Sequence, residues 1–316
     1  MANNKLYIPH LNPVKFFKIN QSNLAAYFTK HFDYYDFQDR LYEWQDIEDY
    51  TRVWQTTDII NLQFESTFDP IVVQLLDSKG NIVIALPALV GLPNRAIPNA
   101  FSFEVQMSLA TVPTGCYRIK IIAGPTGVSQ QIYLSGKLFI SEEQLKNTLL
   151  LEYWHNKFFN DVIFETGIKF QFRVHGHFGF LIPGSSQERY NDEKFNPTIL
   201  SSKNYRQWPL IFGDEYGLPD DIIDLLSLIW SCNNTSVDGK LFAAVDNKMD
   251  FVEVKKYPKR GVKITVQEGI NRNSTVFDVD VDPNKQLIST VLVDAKVFGD
   301  TSNQGSGNAV PVFNIE

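Results

Sequence analysis

The sequence is poor in the residues that build metal centres and disulfide frameworks. Its 316 residues include two cysteines and five histidines. Cys116 and Cys232 are far apart, and each lies in a stretch with the pattern of a strand or a helix end. Isolated cysteines of this kind are usually buried thiols. We therefore expect two thiols, no disulfide and no metal site built on cysteine.

Long apolar runs and an excess of basic charge are missing as well. No stretch approaches the roughly 18 apolar residues that a membrane helix needs. The first residues lack the apolar segment of a secretory signal. The formal net charge of -7 argues against the basic face that nucleic-acid binding requires. We expect a soluble protein made in a cytoplasm, with no direct binding to nucleic acid or to a membrane.

Catalytic signatures are also absent. The sequence has no Gly-x-Ser-x-Gly motif, and neither cysteine lies in an activating context. Residues 213–217 form a turn that lacks the Lys-Ser/Thr of a phosphate loop. His175 and His177 share one face of a predicted strand, but no third metal ligand has a fitting spacing. The sequence thus predicts no catalytic, cofactor-binding or metal site, and a protein that is not an enzyme.

What the sequence does contain is aromatic residues, with 24 Phe and 13 Tyr, and regular strand patterns. Large β-sheet proteins with extended interfaces favour such residues. Apolar and polar residues alternate along residues 58–64, and a turn at residues 77–81 joins two β-rich runs into a hairpin. Further strands of similar length and spacing follow. The pattern predicts an immunoglobulin-like β-sandwich over residues 56–141.

A second β-rich domain is predicted over residues 142–300, with one helix at residues 219–231. Pro219 suits the first helical position, and Asp220 and Asp221 meet the positive end of the helix dipole. The remaining helical positions carry a broad apolar face. The predicted fold class is therefore mainly β, with tandem β-sandwich domains and one short buried helix in the second domain.

The polar segment at residues 183–197 interrupts the strand pattern of the second domain. It is rich in turn-forming residues and has no apolar period. Such segments usually run over the surface and make variable contacts. We expect a long surface loop here.

Residues 1–55 form a polar and aromatic segment that we expect to pack on the first domain. Aromatic rings and carboxylates are mixed there without a clean period, and the rings include Tyr34, Tyr35, Tyr42 and Trp44. The favoured interpretation is a set of edge strands that pack across a domain junction. The other is a loop with exposed rings, and these four rings would then form a platform on which sugars stack.

The chain ends in an arm, residues 301–316. Its first half has the composition of a flexible linker. Its second half is an apolar run too short to bury itself, and its candidate assembly contacts are Val310, Val312, Phe313 and Ile315. Such a run pairs with a neighbouring subunit or docks on its own domain, and the sequence leaves both open.

A resemblance to a known family lies in residues 54–58, 115–121, 148–153, 162–165, 170–174, 205–208 and 217–220. In these segments the sequence resembles tail-associated virion proteins from phages and prophages of Bacteroidetes hosts. The segments are fold markers in both predicted domains and supply no active-site residue. The resemblance implies a protein like the distal-tail or hub proteins, which form rings. Its partners would be copies of itself and other virion tail proteins, and its location would be the virion.

Two functions follow as hypotheses. The leading one is a phage virion structural protein of the tail or head–tail connector, which forms a homo-oligomeric ring, docks other virion proteins and needs no cofactor. The alternative is a carbohydrate-binding β-sandwich module that recognises host-surface glycans through the aromatic residues named above.

Overall fold

The computed structural model describes residues 6–19, 24, 50–68, 70–87, 89–93, 100–125, 130–160, 162–214, 217–246, 248–252 and 260–268. The chain divides into two units, Met1–Gly269 and Ile270–Glu316, and every described residue lies in the first. This part of the chain is mainly β, with several sheets and one short α-helix. The predicted fold class is confirmed.

Eleven of the described strands form a two-sheet sandwich. They are β1 (Leu6–Tyr7), β2 (Phe16–Ile19), β3 (Arg52–Gln55), β4 (Ile59–Ser66), β5 (Ile71–Leu76), β6 (Ile82–Pro87), β7 (Leu89–Pro93), β8 (Phe101–Ser108), β9 (Gly115–Ala123), β10 (Gln131–Ser135) and β11 (Leu138–Ser141). One sheet has the order β1-β4-β8-β7. The other has the order β2-β10-β9-β11-β3, with β5 also paired to β9 and β6 paired to β5.

Alternating residues from the two sheets meet in the core of the sandwich. Ile60, Leu62 and Phe64 of β4 are buried, as is Ile121 from the opposite sheet. The ring of Phe64 stacks on that of Phe103 in β8, with 6.0 Å between centroids. The sequence alternation predicts burial of these apolar positions, but Gln63 and Glu65 between and after them are buried too, so β4 is covered on both faces along its second half. The sandwich also takes in β1, β2 and β3, which precede residue 56.

The second half of the described chain contributes β12 (Thr148–Trp154), β13 (Phe158–Phe159), β14 (Val162–Ile163), β15 (Phe170–Phe178), β16 (Ile182–Asn191), β17 (Pro197–Phe212), β18 (Asn234–Val237), β19 (Lys240–Ala244), β20 (Asp250–Val252) and β21 (Gly261–Glu268). Six of them pair in the order β12-β15-β17-β21-β19-β18, and β18 pairs back onto β12. We call this ring the closed sheet. Closure leaves no free edge along the ring.

An aromatic cluster lies in the core of the closed sheet. Phe170 is fully buried, stacks on Tyr153 at 5.4 Å and meets Phe164 edge-on at 5.9 Å between centroids. The Tyr153 hydroxyl donates a 2.7 Å hydrogen bond to the carbonyl of Leu11, so its polar end is satisfied inside the core. Aromatic pairs in these geometries stabilise a core beyond the area that they bury.

The single α-helix of the described residues, α1 (Asp220–Trp230), packs onto the same core. The prediction placed Pro219 at the first helical position, and this is wrong by one residue. Pro219 has extended backbone angles (φ -73°, ψ 158°) and is the N-cap, and its carbonyl accepts from the amides of Ile222 and Ile223. The buried face consists of Ile222, Leu225, Leu226, Ile229 and Trp230.

The loop predicted at residues 183–197 is instead most of β16, a turn and the start of β17. Ten residues of β16 pair with β17, from Ile182 opposite Gln207 to Asn191 opposite Pro197. Turn chemistry is confined to the few residues between the strands. The rest is polar because these strands have water on both faces, which removes the alternation from which a strand is recognised.

Polar contacts join the sandwich to the closed sheet. Arg173 of β15 donates two hydrogen bonds of 2.7 Å to the carboxylate of Asp58, and the two side chains are 8% and 1% exposed. The amide of Ile59 donates to the side-chain oxygen of Gln171 at 2.7 Å. A bidentate arginine–carboxylate pair fixes both distance and orientation. The two halves of this unit are therefore held in one defined geometry.

The two cysteines form no disulfide, as predicted. Cys116 is half-buried, and Cys232, two residues after the end of α1, is buried. Burial raises the pKa of the Cys232 thiol to about 12. The pKa of Tyr153 is also raised, mainly by burial and further by Cys232.

These raised pKa values predict a loss of stability in alkali. Unfolded cysteine ionises near pH 8.5 to 9, whereas folded Cys232 keeps its proton to about pH 12. Between these values the unfolded state binds fewer protons, so the free energy of unfolding falls by up to about 1.4 kcal/mol per pH unit from this group. Urea unfolding between about pH 9 and 11 measures this slope, and Cys232→Ala should make it shallower. Equal slopes in the two proteins would contradict the assignment.

Candidate interaction surfaces

The hairpin of β16 and β17 leaves the closed sheet as a two-stranded ribbon. We define the ribbon as residues 182–207. Beyond this point β17 continues into the closed sheet, where residues 207–212 pair with β21 and residues 210–212 pair with β15. Within the described residues, the ribbon part of β17 before residue 207 pairs with β16 alone.

Large apolar side chains of the ribbon face water. Tyr190, Phe195, Ile199 and Leu200 are 57%, 84%, 55% and 65% exposed. Tyr190 is opposite Thr198, the residue before Ile199, so Tyr190 and Ile199 point to opposite faces. A two-stranded ribbon is only marginally stable by itself, and clustered exposed apolar residues mark interaction sites. The ribbon therefore has the composition of a surface that is covered in an assembly.

The outer edge of the ribbon is guarded against strand addition. Pro183 lacks a backbone donor, and the pairing register shifts between Glu188 and Arg189. Proline, a bulge and charged residues are the devices by which edge strands avoid pairing with another chain. These features disfavour strand addition along β16, whereas the other edge of the ribbon, along β17 before residue 207, has no strand partner among the described residues.

The turn between β5 and β6 provides a reference for the turn at the ribbon tip. Asp77 accepts hydrogen bonds from the amides of Lys79 and Asn81, both at 2.8 Å, and from the side-chain amide of Asn81 at 2.9 Å. Gly80 occupies the left-handed position of this turn, with φ 83°. Glycine is the residue that adopts this conformation without steric cost.

The ribbon tip repeats this turn with one difference. Asp192 accepts from the amides of Lys194 and Asn196 at 2.8 Å and from the Asn196 side chain at 2.9 Å. The position equivalent to Gly80 is Phe195, with φ 62°. A bulky residue is unfavourable there. The tip thus carries a strained, exposed phenylalanine where the same chain elsewhere uses glycine.

A cleft of about 720 Å³ lies on the same unit, between the N-terminal segment, β13, β14 and α1. Its apolar lining includes Ile8, Leu11, Val162, Leu225 and Leu228. This volume is within the usual range of about 300–1,000 Å³ for ligand sites.

A buried ion pair with unpaired atoms lies against the cleft. Arg52 Nη2 donates to Asp221 Oδ2 at 3.0 Å, and the side chains are 3% and 8% exposed. Among the described residues, Nε and Nη1 of Arg52 and Oδ1 of Asp221 have no hydrogen-bond partner, although they are buried. Buried polar atoms without partners cost about 1–3 kcal/mol each.

The formal charges that line the cleft cancel. Lys15 and Arg52 are positive, and Asp221 and Asp224 are negative. Phosphate ligands favour sites with a net positive charge, and cations favour clustered carboxylates. The cleft fits neither pattern, and it is better suited to a ligand that carries both charges and an apolar group.

His175 and His177 lie on β15, as the sequence predicted. Burial lowers the pKa of His175, and the carboxylate of Asp214 partly opposes this effect. Gly176 lies between them because a Cβ there would be 2.8 Å from the backbone oxygen of Ile211. Among the described residues, no group of three or more His, Cys, Asp or Glu side chains could hold a metal ion.

The site residues predicted from sequence are outside the part of the chain that the structure describes. Tyr34, Tyr35, Tyr42 and Trp44 are outside the described residues, and the glycan-stacking hypothesis stays a prediction. The arm contacts Val310, Val312, Phe313 and Ile315 are outside them too.

Sequence reasoning missed both the ribbon and the cleft. The ribbon had one usable signal, since residues 77–81 and 192–196 share the pattern Asp-x-Lys-x-Asn. Because the first of these was already identified as a hairpin turn, the second marks a hairpin as well. The cleft had no such signal, because its lining comes from segments far apart in the sequence.

Comparison with models of protein families, with curated proteins and with solved structures found no match for this chain. The described residues include no helix with the length and apolar character needed to cross a bilayer.

Proposed function

We propose that this protein is a structural subunit of a phage virion, in the tail or the head–tail connector, where it forms a homo-oligomeric ring and docks other virion proteins. The observation that carries the proposal is the ribbon. It exposes apolar residues on both faces, which disfavours an isolated monomer.

The remainder of the described unit supports a role as a building block. Its two halves are joined by a buried, bidentate ion pair, and one half is closed on itself. Such a body presents a projecting contact at a fixed position, as a repeating subunit requires. The resemblance to tail-associated virion proteins supplies the location in the tail. The arm, residues 301–316, is proposed as a second contact with neighbours.

The test is to shorten the ribbon and measure assembly. Residues 185–204 are replaced by Asn-Gly, which joins the paired residues Gly184 and Tyr205 through a two-residue turn. We expect the unaltered protein to form a large species by size exclusion with light scattering, and a symmetric class in electron micrographs. The shortened variant should be monomeric.

Two measurements separate assembly from folding. Circular dichroism should show that the shortened variant keeps its β content and a cooperative thermal transition, since the closed sheet and the sandwich remain whole. An unaltered protein that is monomeric at high concentration would refute the proposal. So would a shortened variant that assembles like the unaltered protein.

A further inference from the structure

We propose that Phe195 anchors the ribbon of one copy in the cleft of the next copy. This inference rests on the proposed function, since it names the partner that the ribbon contacts. It concerns one residue at the tip and one cleft, and neither was identified from the sequence.

The backbone conformation of Phe195 is unfavourable in the isolated chain. Among the described residues other than glycine, the positive φ angles belong to Asn147, Asn160, Phe195 and Asp238. Asparagine and aspartate tolerate this conformation, whereas a bulky residue does so at a cost. The ring is also 84% exposed, so it stabilises no core. Strain that serves no folding purpose is characteristic of functional positions.

The apolar lining of the cleft suits the phenyl ring of Phe195. A single aromatic ring that enters a pocket is the usual anchor of a protein interface. The cleft offers aliphatic side chains from α1, Leu225 and Leu228, and the half-exposed ring of Phe158 at β13. Leu228 and Phe158 lose water when a phenyl ring covers them, which favours association.

The charged groups of the ribbon tip also suit those of the cleft. The tip carries one acidic and one basic residue beside the ring, Glu193 and Lys194, and both are exposed. The carboxylate of Glu193 is an acceptor for the ammonium of Lys15, and the ammonium of Lys194 is a donor for the carboxylate of Asp224. Both of these cleft residues are accessible to solvent. A tip with both charges suits a cleft whose formal charges cancel.

The contact joins two different surfaces of the same protein, so it is heterologous. Each copy offers one tip and one cleft, and a repeated heterologous contact closes into a ring when the rotation between copies allows it. This geometry agrees with the ring that we propose.

The test uses two variants that each remove one side of the contact. Phe195→Gly restores the residue of the reference turn and deletes the anchor. Ser227→Trp places a large ring in the cleft from the exposed face of α1. Each variant should associate at least about tenfold more weakly than the unaltered protein, as for an interface hot spot. Sedimentation velocity over a range of concentrations measures this.

Mixing the two variants gives the decisive result. The Phe195→Gly protein keeps an intact cleft and the Ser227→Trp protein keeps an intact tip, so an equal mixture should form heterodimers through one productive contact. Native mass spectrometry identifies them by their masses. Phe195→Gly mixed with the double variant should remain monomeric, because neither protein then has an intact tip. Ser231→Trp, which adds the same ring at the C-cap of α1 and outside the cleft lining, should assemble normally.

Several outcomes would overturn the inference. One is a Ser227→Trp protein that assembles like the unaltered protein. Another is a mixture that stays monomeric while both variants keep their thermal transitions. With a ribbon-dependent oligomer, these results refute the tip-to-cleft contact and leave the proposed function standing. A monomeric unaltered protein refutes both.

Discussion

Asp58→Ala should lower the free energy of unfolding by about 3–5 kcal/mol, the cost of removing one partner from a buried ion pair. The Asp58 carboxylate accepts two hydrogen bonds from Arg173 and one of 2.8 Å from the amide of Gln55. Its loss leaves a buried guanidinium without a counter-charge. Urea unfolding followed by circular dichroism measures the effect.

The double variant Asp58→Ala with Arg173→Met separates the pair from its surroundings. Removing both charges leaves no unpaired ion, so the double variant should recover much of the stability lost in the single one. Arg189→Met is the matched control, because that arginine is exposed on the ribbon, and its unfolding should change by less than about 0.5 kcal/mol. Equal destabilisation by Asp58→Ala and by the control would contradict the role of the pair.

Phe170→Ala should lower the free energy of unfolding by about 3–5 kcal/mol as well, through a different mechanism. The ring is fully buried and contacts both Tyr153 and Phe164. Alanine leaves a cavity in the centre of the closed sheet and removes both aromatic pairs. The midpoint of urea unfolding should fall, with little change in its slope.

Two companion variants make the Phe170 prediction specific. Phe170→Leu keeps most of the volume and should cost less than about 1.5 kcal/mol. Phe180→Ala removes a ring that is almost fully exposed, so its effect should be within about 0.5 kcal/mol. If all three variants unfolded at the same urea concentration, the aromatic cluster would not be a stabilising core.

The parts of the fold that could be predicted from the sequence are the elements whose apolar residues face the core with a regular spacing. The apolar residues of β4 and β8 alternate because they face the core, and α1 shows its apolar face with the spacing of a helix. These local periods report burial directly. The mainly β class, the sandwich strands and the helix could therefore be predicted, with a one-residue error at the helix start.

The parts that sequence could not give depend on pairing at a distance. The closure of β17 onto β21 is set by register and not by composition. Two buried ion pairs, Arg52–Asp221 and Asp58–Arg173, join residues that are far apart in the chain. The ribbon has water on both faces, so its alternation is lost and a loop was predicted. The strain at Phe195 can be recognised only when its φ angle is known.

The continuity of β17 has a mechanical consequence. The same strand begins at the ribbon tip and ends inside the closed sheet, where it is paired on both sides. A pull on the tip therefore travels along covalent bonds into a region where two rows of hydrogen bonds resist it together, in shear. In the assembly that we propose, tension from a neighbouring copy would pass through β17 into the closed sheet of each copy.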